Sequence, residues 1–177
     1  MKTMNWLIFS LMTVACWGLY GVFLHMGQVG MADKEMGRYK AFLLVGVAYF
    51  LVAVLAPLAV LMMQKGTVWS FPAKGMWLSL VAGILGAVGA FGVLLALGAG
   101  LKEGAGPAVV MSIVFAGAPI VNAIVSIALH PPKGGWAAVP WQFALGIVLA
   151  AAGGCLVTLK KPVAAPPAKP VVMEQAE

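Results

Sequence analysis

The charged residues of this chain occur in groups, and these groups separate five long stretches without any charged side chain. Each stretch reaches the length of about 20 apolar residues that an α-helix needs to cross a hydrocarbon core. Because lipid offers no partners to open backbone groups, we expect the stretches to be helices. The pattern predicts an all-α integral membrane protein with spans near residues 5–27, 41–63, 76–99, 107–129 and 140–159.

Proline and tryptophan positions agree with these spans. Pro107 suits the first turn of the fourth helix, where a missing N–H does no harm. The segment HPPKGG at 130–135 ends that helix, and Pro140 precedes the fifth. Tryptophans near the predicted span ends, typical of an interfacial aromatic belt, are Trp6, Trp69, Trp77, Trp136 and Trp141.

Composition excludes a soluble fold. The chain is 63% hydrophobic and 9% charged, against roughly 45–50% and 25% in soluble domains. The net charge of +6 lies in loops and in the tail, where lipid headgroups and topology account for it, so we expect lipid and not nucleic acid as a partner. Residues 1–160 form one predicted membrane domain, and the Pro-, Ala- and Lys-rich segment 161–177 is predicted to be disordered.

Five crossings place the two termini on opposite sides of the membrane. One side would carry four basic residues, namely Lys2, Lys65, Lys74 and Lys133. The other would carry seven, namely Lys34, Arg38, Lys40, Lys102, Lys160, Lys161 and Lys169. The positive-inside rule therefore favours a cytoplasmic C-terminus, and we expect the protein in the cytoplasmic (inner) membrane. Without the three lysines of the tail the count is even, which leaves dual orientation open.

Two predicted helices carry polar and aromatic side chains at alternating spacings of three and four, which places them on one helix face. In the first span these residues are Ser10, Thr13, Trp17, Tyr20 and Leu24, and in the fourth they are Ser112, Phe115, Pro119, Asn122 and Ser126. Such a face meets a neighbouring helix or a water-filled cavity. Hydrogen bonding between helices, about 0.6 kcal/mol per pair, is one interpretation for Ser and Thr. Asn122 suits either structural bonding or cavity lining, and Pro119 either a kink or the border of a substrate site.

Three further features have a structural and a functional interpretation each. Gly83, Gly86, Gly89 and Gly92 recur every three residues in the third span, which favours close helix packing over a glycine-lined path. His25 is either an interfacial histidine or a group that titrates near neutral pH. Arg38 is either an interface anchor or an attractor of anionic groups.

The sequence contains no cluster of groups with catalytic chemistry. It lacks a phosphate loop, a set of metal ligands and a nucleophile beside a base, and no Asp or Glu lies inside a predicted span. Proton coupling through a buried carboxylate, the usual intramembrane relay, is therefore not expected. We expect no enzymatic activity, no catalytic residue, no cofactor and no metal.

The order of the motifs resembles one EamA-like repeat of the drug/metabolite transporter superfamily. CWGLYGVF at 16–23 is similar to the Trp-Gly start of its first helix, and Arg38 to an arginine that enters the second. GILGAVGAFGVLLALGAG at 83–100 resembles the third helix, GPAVVMSIVFAGAPIVNAIVSIAL at 106–129 the fourth, and WQFALGIVLAAAGGCLVTL at 141–159 the fifth. HPPKGG replaces a Gly-Glu pair common after the fourth helix. Family members usually carry two such repeats in inverted orientation, whereas this chain has one.

The resemblance implies half of an inverted-repeat transporter fold, completed by a second copy or a related five-helix protein, including an antiparallel arrangement. It implies alternating-access transport of a small metabolite as a dimer. The substrate pathway would then be lined by Trp17, Tyr20, Ser112, Phe115, Pro119 and Asn122, with His25 and Arg38 near one mouth. The alternative is a membrane subunit that does not transport and that packs against a larger complex.

Overall fold

The structure is a computed structural model that describes residues 5–64 and 69–160. Five long helices account for most of this part of the chain: α1 (Asn5–Gly30), α2 (Gly37–Met63), α3 (Ala73–Glu103), α4 (Pro107–Leu129) and α5 (Trp141–Leu159). A short 3-10 helix, Gly135–Ala138, precedes α5. All five long helices are apolar enough to cross a membrane, and the described residues contain no strand. The prediction of an all-helical chain with five such segments is confirmed, whereas the predicted disordered segment 161–177 lies outside the described residues.

Three helices are longer than the predicted spans. α1 continues to Gly30, α2 begins at Gly37, and α3 covers Ala73–Glu103. The prediction ended each span where the apolar residues end. A helix can continue through flanking polar residues, because long basic side chains extend from an apolar stem toward water. The additional turns therefore contain Arg38, Lys40 and Lys102.

Proline and glycine set the local backbone at three points. Pro107 lies in the first turn of α4, and Pro140 caps α5, as the sequence indicated. Gly104 ends α3 with a φ of 68°, a left-handed conformation that glycine adopts without steric cost. The connection from α3 to α4 is consequently short.

The middle of α2 contains a wider turn that the sequence analysis missed. Residues Leu51–Leu55 are in π-helical conformation, and the Ala56 amide donates to the carbonyl of Leu51. Pro57 follows at once. It has no N–H to donate to the carbonyl four residues earlier, and its ring crowds that carbonyl. A π turn absorbs this mismatch while the helix continues.

The buried core lies at one end of the bundle, where α1 ends, α2 begins, α3 ends and α4 begins; we call this the packed end. Its buried residues are Leu24, Ala41, Val93, Leu94, Leu97, Val110 and Met111. Leu94 and Leu97 of α3 have no exposed surface. At the opposite end, the open end, the first turns of α1 and α3 are exposed on all sides. The described chain is thus a bundle that is closed at one end and splayed at the other.

The last helix packs on α4, antiparallel to it. The closest approach involves Gly154 of α5, where an added Cβ would collide with the Cβ of Ala116. No residue of α5 is fully buried. Within the described residues, α5 contacts mainly α4 and contributes no residue to the buried core.

Candidate functional site

Three residues predicted to line the pathway form one aromatic cluster between α1 and α4. The ring centroids of Trp17 and Tyr20 lie 5.5 Å apart, and those of Trp17 and Phe115 lie 6.5 Å apart in edge-to-face geometry. Trp17 is at the middle of α1. Trp17 and Phe115 remain 37% and 41% exposed. The two helix faces proposed from residue spacing do meet here, and one side of the cluster is not covered by the described chain.

Tyr20 adds a polar group to this aromatic cluster. Its hydroxyl is inaccessible to solvent and has no hydrogen bond of standard geometry within the described residues. Tyr49 of α2 interacts with it. A buried hydroxyl normally has a hydrogen-bond partner, and the Tyr49 side chain is the group placed to fill that role. Tyr49, a residue that the sequence analysis did not single out, completes the polar side of the site.

The polar face predicted on α4 divides into two parts. Phe115 faces α1, whereas Pro119, Asn122 and Ser126 line a cleft of about 580 Å³ against α5. Gln142 of α5 lines the same cleft. α5 packs on this side of α4, and the sequence spacing alone does not say which neighbour meets each half of a stripe. The structure therefore does not bring Asn122 to the aromatic cluster.

Serine and threonine hydroxyls of the predicted faces bond within their own helices. Ser112 Oγ donates to the Ala108 carbonyl at 2.6 Å. Ser10 and Thr13 donate to the carbonyls of Trp6 and Phe9 in the same way, at 2.8 and 2.9 Å. These side chains satisfy their own hydrogen-bonding needs, so they place polar surface on a helix without binding another helix. α4 itself runs without interruption through Pro119.

His25 and Arg38 both lie toward the packed end of the bundle. Arg38 lines a polar cleft there, and its guanidinium carbon lies 4.9 Å from the ring centroid of Tyr39. His25 is half-buried on α1, and its Nδ1 has no hydrogen-bond partner in residues 5–64 or 69–160. His25 is not among the side chains that line the Arg38 cleft. The two residues share one end of the bundle but not one site.

An ion pair orders the connection between α1 and α2. Lys40 Nζ donates to Asp33 Oδ2 at 2.6 Å. The amides of Met36 and Glu35 donate to Asp33 Oδ1 at 2.9 and 3.1 Å. The Lys40 ammonium, followed by these amides, lowers the pKa of Asp33 to about 2. The ionised Asp33 carboxylate thus accepts hydrogen bonds from the amides that immediately precede α2 and from Lys40 in its first turn.

The glycines predicted to pack helices face no other part of the described chain. A Cβ built on Gly83, Gly86, Gly89 or Gly92 would meet no atom within 4 Å. Helix packing through these glycines stays a prediction, and the partner would have to be another molecule. In the part of the chain that the structure describes, no group of three or more His, Cys, Asp or Glu side chains is placed to hold a metal ion.

Gln28, the one buried polar side chain of the described residues, was not among the predicted site residues. Gln28 lies at the end of α1, and its Nε2 donates to the Leu94 carbonyl of α3 at 3.5 Å. A glutamine next to a charged loop looks like an interfacial residue in the sequence, and only the approach of α3 buries it.

No family model, curated protein or solved structure matches this chain in the comparisons made with each.

Proposed function

We propose that the protein is an integral membrane transporter subunit of EamA-like type that moves a small metabolite by alternating access, as a dimer of five-helix units. The observation that carries the proposal is the aromatic cluster of Trp17, Tyr20 and Phe115. It lies halfway along α1 and is open on one side. Aromatic walls with a few polar groups are typical of sites for small organic molecules.

The splayed shape of the described bundle favours association with a partner molecule. A single five-helix unit leaves the cluster with one wall, so a second unit would supply the other. The exposed glycines of α3 suit such a contact, because small residues let helices approach closely in lipid. The nearly even distribution of basic residues between the two sides allows an antiparallel pair.

The π turn of α2 supports movement. Interrupted helices near the middle of the membrane are common in transporters, where one part of a helix moves against the other. Leu51–Leu55 lies at the middle of α2, and Pro57 prevents regular hydrogen bonding there. In our proposal this turn is the hinge that lets the two halves of α2 tilt, while the packed end acts as a closed gate.

Uptake by purified protein in liposomes tests the proposal. A panel of labelled amino acids, amines and organic acids is offered, and the initial rate is measured for each. With a transported compound, Trp17→Ala should reduce the rate about three- to tenfold, because an aromatic contact contributes roughly 0.5–1.5 kcal/mol beyond its area. Trp6→Ala, on the same helix but at its exposed start, should leave the rate unchanged. Absence of flux for the whole panel, or equal effects of both substitutions, would contradict the transporter proposal.

The second candidate function is a membrane subunit that does not transport. It is favoured by the exposed glycines of α3, which have no partner within the described chain. A five-helix subunit of a larger complex would bury them against an unrelated protein. Purification from native membranes in mild detergent separates the two: a homodimer, or a complex with a related five-helix chain, supports the transporter, and a stable complex with an unrelated chain supports the subunit.

A further inference from the structure

The polar cleft at the packed end is a second candidate binding site, distinct from the aromatic cluster. It has a volume of about 760 Å³ and lies between the end of α1, the α1–α2 loop and the end of α3. The side chains that matter for binding are Gln28, Lys34, Glu35, Arg38, Tyr39 and Lys102. This volume is within the range of sites for small organic ligands.

Gln28 provides an acceptor without a partner in this cleft. The side chain is only 6% exposed, and its Nε2 donates to the Leu94 carbonyl. This contact, at 3.5 Å, favours that amide orientation, because the opposite orientation would set two oxygens against each other. The Oε1 atom then has no hydrogen-bond donor among residues 5–64 and 69–160. A buried amide oxygen in this state is stabilised by any ligand that brings a hydroxyl or an ammonium hydrogen.

Arg38 provides a donor without a partner in the same cleft. Its Nε has no acceptor in the described part of the chain. The guanidinium lies over the Tyr39 ring and against Gly98 of α3, where an added Cβ would be 3.5 Å from Nη1. The ring and the glycine flank the guanidinium. A guanidinium is the group that binds carboxylate and phosphate through two parallel hydrogen bonds.

The charge of the cleft favours an anion. Asp33 is neutralised by its ion pair with Lys40. The other charged side chains that line the cleft are the cations Lys34, Arg38 and Lys102 and the single acid Glu35. An excess of positive charge around a partly enclosed volume attracts anions. A phosphate monoester, with a charge of about −1.5 to −2 at pH 7, matches this excess better than a single carboxylate.

We infer that this cleft binds a phosphate group that carries a neighbouring hydroxyl, as in a phosphorylated polyol or in a hydroxylated phospholipid headgroup. The phosphate oxygens accept hydrogen bonds from Arg38 and Lys102, and the hydroxyl donates to Gln28 Oε1. This binding does not depend on transport through the aromatic cluster, so either proposal can fail without the other.

Titration calorimetry on the full chain in phosphatidylcholine nanodiscs tests the inference, with glycerol 3-phosphate as the probe. Arg38→Gln and Lys102→Gln should each weaken binding by about tenfold, since each removes a charge-assisted hydrogen bond. Lys74→Gln is the matched control, because it removes one positive charge from the other end of the same helix. It should leave the affinity unchanged. Equal effects of Lys102→Gln and Lys74→Gln, or no binding by the native chain, would overturn the site.

The role of Gln28 is tested with two probes and two variants. Gln28→Leu should weaken glycerol 3-phosphate binding about fivefold or more and leave the binding of methyl phosphate, which has no hydroxyl at pH 8, unchanged. If that variant does not fold, Gln28→Glu keeps the size and should abolish binding of both probes, because its carboxylate would pair with Arg38 and occupy the anion position. Retention of full affinity for glycerol 3-phosphate in the folded variant would remove Gln28 from the site.

The two sources of the phosphate are separated by the lipid of the nanodisc. Phosphatidylglycerol carries both the phosphate and hydroxyls, whereas phosphatidylcholine has no hydroxyl on its headgroup. If the occupant is a lipid headgroup, glycerol 3-phosphate should bind in phosphatidylcholine and be displaced in phosphatidylglycerol. Equal binding in both lipids assigns the site to a free phosphate ester. Binding that is equal in both lipids and unaffected by Arg38→Gln contradicts the inference for either source.

Discussion

The two ends of α3 have similar sequences and opposite surroundings. At the packed end, Leu94 and Leu97 have no exposed surface, whereas Leu85, toward the open end, is 67% exposed. The apolar character of the residues is the same in both places, so it does not decide which of them are buried. What differs is whether another helix of the same chain is near. This chain therefore provides only part of the packing surface that α3 requires.

The glycines of α3 show the same contrast at the level of single atoms. At Gly100, an added Cβ would collide with the carbonyl oxygen of Ala105. At Gly86, it would meet no atom within 4 Å. Glycine is therefore required at the packed end by the tight turn into α4. At Gly86, no contact within the described chain requires a glycine. A partner molecule that packs closely against this position would require one.

The largest effect that we expect comes from alanine at these two glycines. Gly100→Ala should lower the free energy of unfolding by about 2–3 kcal/mol, because the Ala105 backbone must move. Gly86→Ala should not destabilise the single chain, and its better helix propensity favours stabilisation by up to about 1 kcal/mol. Reversible unfolding in SDS, followed by circular dichroism, measures both. Equal destabilisation by the two substitutions would contradict the distinction between the ends.

Gly86→Ala should also change the association of the protein, measured as the fraction of dimer. If the open face of α3 contacts a second copy, the added methyl group separates the helices and the dimer fraction should decrease while the fold is kept. Single-molecule photobleaching in liposomes gives this fraction. An unchanged dimer fraction would show that Gly86 faces lipid.

The smallest expected effect concerns the loop of the packed end. Because the pKa of Asp33 is lowered from 3.8 to about 2, the folded state favours the charged carboxylate. Its stabilising contribution is complete above the pKa of the unfolded chain and is lost as the pH falls from about 4 toward 2. Asp33→Asn should therefore lower Tm slightly at pH 6 and leave it unchanged near pH 2. Glu35→Gln, a neighbouring charge change outside the Lys40 ion pair, is the control. A Tm difference for Asp33→Asn that does not change with pH would contradict this assignment.

Much of the helical framework could be predicted from the sequence, because it depends on local features. Charge-free stretches located all five helices, and Pro107 and Pro140 located two helix starts. Spacing also identified the faces that bring Trp17 and Phe115 together. These features depend on one helix at a time or on a single pair of helices.

The remainder of the site depends on which helices become neighbours. Asn122 and Phe115 share a predicted face but meet different partners, because α5 covers one part of it. Gln28 is buried only because the Leu94 carbonyl of α3 lies beside it. The π turn before Pro57 had a local signal, a proline in the middle of a span, and could have been predicted.

Disulfide crosslinking in native membranes tests whether a second copy of the chain packs against the exposed part of α3. Cys16 and Cys155 are first replaced by alanine, and single cysteines are introduced at Gly86 and Gly89, which flank the middle of α3 and are neighbours on its surface. For an antiparallel pair, we predict a crosslink between a Gly86→Cys chain and a Gly89→Cys chain, and weaker crosslinks of either variant with itself. Ala99→Cys, exposed at the packed end of the same helix, should not crosslink with itself. Crosslinking at Ala99 alone, or at none of these positions, would contradict the account.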